Sequence, residues 1–131
     1  MKIPAAARSP WLWLTAYLLW FSTLWFMSSG PVAIKTGVEI PHLDKVSHFG
    51  YFFGGSGLLS AFLFRRQASV PDWLRIFTIV ILLMTAVGCL DEFHQSWIPE
   101  RTGNDSQDLT ADILGSIAGF YVFKRLHRLL A

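Results

Sequence analysis

The pattern of apolar and polar positions divides the chain into four apolar runs separated by charged segments. No charged residue occurs from Ser9 to Ile34, and the stretch from Trp11 to Ser29 is apolar all round rather than on one helical face. Further uncharged runs extend from Phe49 to Phe64, from Ile76 to Leu90 and from Ile113 to Phe123. The first is long enough to cross a bilayer; the other three fall short of the ~20 residues a span needs. A soluble domain of this size would have to cover four such helices with very few polar residues, and the first run has no polar face to cover anything. The pattern therefore predicts an all-α fold: an integral membrane four-helix bundle, one domain over residues 1–131, with spans at about 11–29, 47–64, 74–94 and 108–124. Lys2 and Arg8 before the first run, and Ser28, Ser29 and Gly30 after it, also resemble the parts of a secretory signal. The apolar stretch exceeds the about 7 to 15 residues of such a signal, so it is read as a retained span.

Composition agrees with this reading and narrows it. Charged residues make up 15% of the chain, against about 25% in soluble domains. With one cysteine and a net charge of +2, the chain is neither a disulfide scaffold nor a basic nucleic-acid binder, and no nucleic acid is expected as a partner. The distribution of charge says more than its sum. Lys2, Arg8, Arg65, Arg66, Arg75, Lys124, Arg125 and Arg128 fall on one side of the predicted spans with Asp72, a net +7. Lys35, Lys45 and Arg101 fall on the other with Glu39, Asp44, Asp91, Glu92, Glu100, Asp105, Asp108 and Asp112, a net −5. The basic side is assigned to the cytoplasm, which places both termini there. Trp11, Trp13, Trp25, Trp73 and Trp97 lie near the span ends, as an aromatic belt would.

Counted along each helix from its last basic residue, His48 lies about 26 Å from Arg65. Asp91 and Glu92 lie about 24 and 26 Å from Arg75, Asp108 about 24 Å and Asp112 about 18 Å from Lys124. Within a hydrocarbon core ~30 Å thick, residues of three spans thus converge at one level near the outer face. Charged groups at that depth are costly against lipid and should turn inward toward one another. Helical spacing agrees: Asp44 and His48, Asp91 and Gln95, and Asp108 and Asp112 are each i and i+4 pairs. Gly115 and Gly119 continue the face of Asp108 and Asp112 as a G-x-x-x-G packing motif. Gly50, Gly54, Gly55 and Gly57 suggest a similarly thin surface on the second span. The resulting picture is a compact bundle with a polar pocket open to the outside.

From about Pro41 to Gly119 the chain resembles the VanZ-like membrane proteins, named for a protein associated with resistance to the glycopeptide teicoplanin. The resemblance rests on Asp44, Lys45 and His48 entering the second span, and on Asp91, Glu92, Gln95, Pro99 and Arg101. Asp108, Asp112, Gly115 and Gly119 complete it. Asp112 departs from the pattern, in which Asn is more usual. Membership implies a multi-pass protein of the bacterial cytoplasmic (inner) membrane, part of the cell envelope, with no settled activity.

The expected binding pocket comprises Asp44, Lys45, His48, Asp91, Glu92, Gln95, Arg101, Asp108 and Asp112. Crowded carboxylates cannot all ionise cheaply, so His48, Asp91 and Glu92 are the candidates for acid–base catalysis, should there be any. No metal or cofactor is assigned, although a His with carboxylate oxygens is also a donor set for a divalent cation. The alternative is structural: polar groups that satisfy one another and fix helix register. Arg101 either neutralises nearby acids or joins Lys45 in clamping a phosphate or carboxylate. Membrane lipids are the expected partners. With the family association, the favoured reading is a non-enzymatic protein that binds an amphiphile, a lipid-linked cell-wall component or a glycopeptide. A small hydrolase or transferase acting on a phosphate- or acyl-bearing lipid is the alternative, weakened because Ser47, Ser56 and Ser96 form no marked nucleophile arrangement. An ion or proton pathway is disfavoured because the inner halves of the spans carry no ionisable residue. His42 and His94 fall off the clustered faces, and Cys89 is expected to be a packing residue.

Overall fold

The computed structural model describes residues 4–30, 42–67 and 70–130. Lys2, Lys35 and Glu39, which enter the charge division, and Pro41, where the family resemblance begins, lie outside the described residues. The chain forms four α-helices: α1 (Pro10–Ser28), α2 (Leu43–Arg66), α3 (Trp73–Gln95) and α4 (Ser106–Leu126). Short 3-10 turns, Ala5–Arg8 and His127–Leu129, flank them, and no strand occurs among the described residues. Among the described helices, α3 is the one that is long and apolar enough to cross a membrane. Charged residues at both ends of α2 and at both ends of α4 lower their hydropathy, and α1, though uncharged, contains Trp11, Trp13, Trp20 and Trp25.

Local chemistry sets the helix ends. Pro10 opens α1, where its missing N–H removes no helical hydrogen bond. Asp72 caps α3 by accepting from the Arg75 N–H at 3.0 Å, and Asp105 caps α4 by accepting from the Gln107 N–H at 2.8 Å. Each of α2, α3 and α4 extends beyond its uncharged run at one end of the bundle, where polar residues supply the first turns of α2 and α4 and the last turn of α3.

Helices α2 and α4 form the closest pair. A Cβ at Gly115 would collide with the Phe49 carbonyl, and one at Gly119 with the Phe53 carbonyl and the Ser56 hydroxyl. The missing side chains are therefore what bring the two backbones together. On α2 the glycines behave differently from the expectation of one thin surface. Gly50, Gly54 and Gly57 have no neighbour within 4 Å of an added Cβ, whereas Gly55 lies against the Trp20 ring of α1. Trp20 docks α1 through that notch, donating from Nε1 to the Tyr51 carbonyl at 3.0 Å while the Tyr51 hydroxyl donates to the Trp20 carbonyl at 2.9 Å. Phe52, Leu59, Ile76, Val80, Met84 and Phe120 fill the apolar core. Cys89, expected to pack, is exposed on α3; it lies on the apolar outer face of that helix rather than against a neighbour.

Candidate functional site

The polar residues collect at the end of the bundle where α2 and α4 begin and α1 and α3 finish. Their centre is His48. Its Nδ1 stands 2.9 Å from Asp112 Oδ1. A carboxylate only accepts, so Nδ1 carries the hydrogen and Nε2 is directed elsewhere. Nε2 faces Asp108 Oδ2 at 3.7 Å and Asp44 Oδ1 at 3.9 Å, too far for hydrogen bonds. The i and i+4 spacing on α2 brings Asp44 beside His48, and the same spacing on α4 brings Asp108 and Asp112 to its other side.

Lys45 bridges the helix starts. Its ammonium contacts Asp108, lies 2.8 Å from Asp105 Oδ2 and 3.4 Å from Asp44 Oδ2. Burial pulls the Lys45 pKa down, but the hydrogen bonds its ammonium donates to Asp105 and Asp108 more than offset that effect and hold it above its ordinary value. The same Lys45 hydrogen bond, helped by the Gln107 N–H, holds the Asp105 carboxyl below the usual carboxylate range.

Helix α3 contributes a second layer. Asp91 is buried, accepting from the Ser28 hydroxyl of α1 and, at 2.7 Å, from Gln95 Nε2. Glu92 Oε2 accepts from the Asp105 N–H at 2.7 Å, while its carbonyl accepts from the Asn104 N–H at 3.3 Å. The loop from α3 to α4 therefore folds back on Glu92. Gly103 allows this close approach, since a Cβ there would collide with the Ser96 backbone. Glu92 Oε1 and Asp112 Oδ2 are buried with no hydrogen-bond partner among the described residues. Gly88 leaves room for the latter: a Cβ at that position would lie 3.0 Å from Asp112 Oδ2.

Asp44, Lys45, His48, Asp108 and Asp112 thus meet directly, and Asp91, Glu92 and Gln95 stand behind them. Arg101 is placed apart from the carboxylates. Its Nε donates to the Gly30 carbonyl at 2.9 Å, one terminal nitrogen to the Met27 carbonyl at 2.9 Å and the other to Gln95 Oε1 at 3.3 Å. Arg101 therefore ties the α3–α4 loop to the end of α1. Ser47, Ser56 and Ser96 each donate to a backbone carbonyl of their own helix, so none of them is paired with a base. His94 stacks flat on Trp25, ring centroids 3.9 Å apart.

Sequence reasoning did not single out Ser28 or Asp105. Ser28 is the last residue of α1, at the depth of Asp91, and that shared depth was the available signal. Asp105 stands three residues before Asp108, on the same side of the helix start as the residues that Lys45 reaches. The cluster is closed over Asp91, Glu92, Asp108 and Asp112 and reaches the surface through Asp44 and Lys45. A separate shallow apolar groove between α1 and α3, lined by Phe21, Ser22, Trp25 and Leu90, begins one turn or less from Ser28 and Asp91.

Compared with known proteins, the chain matches the family described as VanZ/LLP1 over residues 7–128. No curated protein and no solved structure matches it.

Proposed function

Because the chain belongs to the VanZ-like family, a family of membrane-associated cell-envelope proteins, we propose that it is a multi-pass protein of the bacterial cytoplasmic membrane that binds an amphiphile at its outer face. In this reading all four helices span the bilayer, both termini are cytoplasmic and the His48 cluster faces outward. The division of +7 and −5 between the two sides supports that orientation. The observation that carries the ligand reading is that one end of the bundle holds both a charged opening, Asp44 and Lys45, and an apolar groove of Phe21, Trp25 and Leu90 that begins beside Asp91. A polar head at the first and an acyl chain along the second describe a membrane lipid or a lipid-linked cell-wall component. Sequestering or presenting such a component is how the protein would alter susceptibility to a lipid-bearing glycopeptide such as teicoplanin.

The test is mass spectrometry of the protein purified in mild detergent. Wild-type protein is expected to retain a lipid that the double variant Asp44→Asn, Lys45→Ala and the groove variant Leu90→Trp both lose. Absence of lipid from the wild type, or equal retention by all three, contradicts the proposal.

A further inference from the structure

The geometry around His48 points to a divalent cation site formed by His48 Nε2, Asp44 and Asp108, with the unpartnered Glu92 carboxylate near the same imidazole. No part of this rests on the lipid reading above. His48 Nε2, Asp44 Oδ1 and Asp108 Oδ2 present three donor atoms from two helices, separated by 3.9 Å and 3.7 Å from the nitrogen to the two oxygens. Two ligands each about 2.1 Å from one ion can stand at most about 4.2 Å apart. The nitrogen is therefore too far from either oxygen to bond with it, yet at a separation that an intervening ion spans. A group of Asp44, His48 and Asp108 donor atoms all falls within 4.8 Å, and so does a group of His48, Asp91 and Glu92. His48 is common to both.

Three features beyond the acidic cluster favour an ion. First, Asp112 fixes the imidazole from behind through Nδ1 at 2.9 Å, the carboxylate–histidine relay that orients metal-bound histidines and directs Nε2 at the ion. Second, Glu92 is 4% exposed and its Oε1 is buried without a partner among the described residues, although its carboxylate belongs to the second donor group around His48. Both oxygens of Asp91 are already engaged by Ser28 and Gln95, so Glu92 is the better α3 donor. Third, Asp44, Glu92, Asp108 and Asp112 gather around one imidazole with the Lys45 ammonium as their lysine counter-charge. A dication offsets that crowding, which otherwise opposes burial of the carboxylates. Lys45 then acts as a positioning residue that turns Asp108 so that Oδ2 faces His48. One imidazole with several carboxylates suits Zn2+ or Mn2+.

The experiment is isothermal titration of the full chain, purified in detergent and stripped with chelator, with ZnCl2 and with MnCl2. Wild-type protein is expected to take up one ion per chain. Asp44→Asn should weaken binding about tenfold or more, and His48→Ala should abolish it. Asp44 has a largely exposed side chain, 66%, so its variant folds even where His48→Ala does not. Gln107→Ala, away from the donor atoms, should bind like the wild type. No saturable uptake of either ion by the wild type, or unchanged affinity in Asp44→Asn, overturns the site. The lipid-retention result leaves this outcome unaffected, so failure of either proposal is distinguishable from failure of the other.

Discussion

Both ends of the bundle are tied by an arginine that donates to backbone carbonyls, and they differ in what lies between the ties. At the Trp73 end, Arg65 donates to the Arg8 carbonyl at 3.0 Å and the Leu130 carbonyl at 2.7 Å, joining the start of α1 to the end of the chain. Aromatic rings pack beneath it: Trp73 stacks on Phe64, stands edge-on to Phe120 and His127, and lies under the Lys124 ammonium. At the His48 end, Arg101 gathers the Met27 and Gly30 carbonyls above a layer of carboxylates, an imidazole and an ammonium. Ring packing at the first end is tolerant of exchange between apolar residues of similar volume. A buried charged network tolerates little, because removing one member strands another. Stability dominates the design of the Trp73 end, and chemical specificity that of the His48 end.

The largest expected effect is on the apolar side of this comparison. Phe120→Ala removes a fully packed ring and should cost about 3–5 kcal/mol in thermal or denaturant unfolding, with ligand and metal binding by the folded fraction unchanged. A binding defect in that folded fraction would show that the two ends are coupled. Asp112→Ala should cost about 3 kcal/mol by leaving the His48 Nδ1 hydrogen without its acceptor, while Asp112→Asn, which retains an oxygen, should cost less. Equal costs for the two would indicate that the negative charge of Asp112, which both variants lose, matters there rather than the retained oxygen. Between the two ends, Gly119→Ala should destabilise by about 1–3 kcal/mol because its Cβ meets the α2 backbone, whereas Gly54→Ala, facing open space, should be neutral or slightly stabilising.

The smallest effect is a pH dependence of the Lys45–Asp105 link. Asp105 is held below its ordinary pKa, so its contribution is present above the unfolded value of about 3.9 and disappears as pH falls through the lower folded value. Lys45 is held above its ordinary pKa, so its contribution is complete below about 10.4 and disappears as pH rises through the higher folded value. A double-mutant cycle of Lys45→Met and Asp105→Asn should therefore give a coupling energy that is level from about pH 5 to 9 and shrinks beyond both limits. A coupling that changes steadily within that window contradicts the assignment.

Much of the His48 end was legible because helical period and charge act together. Asp44 with His48, Asp91 with Gln95, and Asp108 with Asp112 each follow from four-residue spacing, and burial cost turns charged faces inward. Four helices were likewise legible from the four uncharged runs. What period cannot supply is the path of a loop. Arg101 extends from the α3–α4 connection, and its direction is set by Gly103 and Asn104 folding against Glu92 rather than by any repeat. Ser28 was hidden for a related reason: α1 is apolar all round, so its sequence does not mark which side meets Asp91. The glycines of α2 show the same limit, since composition marks a thin surface but only the helix rotation selects Gly55 as the docking notch.

The functional account depends above all on the His48 end facing outward, and reporter fusions read that orientation directly. With one reporter placed after Ala131 and another in the connection between Arg66 and Trp73, both should report cytoplasmic, and a reporter inserted between Glu100 and Gly103 should report the outside. An outward reading at either of the first two positions, or a cytoplasmic reading at the third, would contradict an extracytoplasmic site.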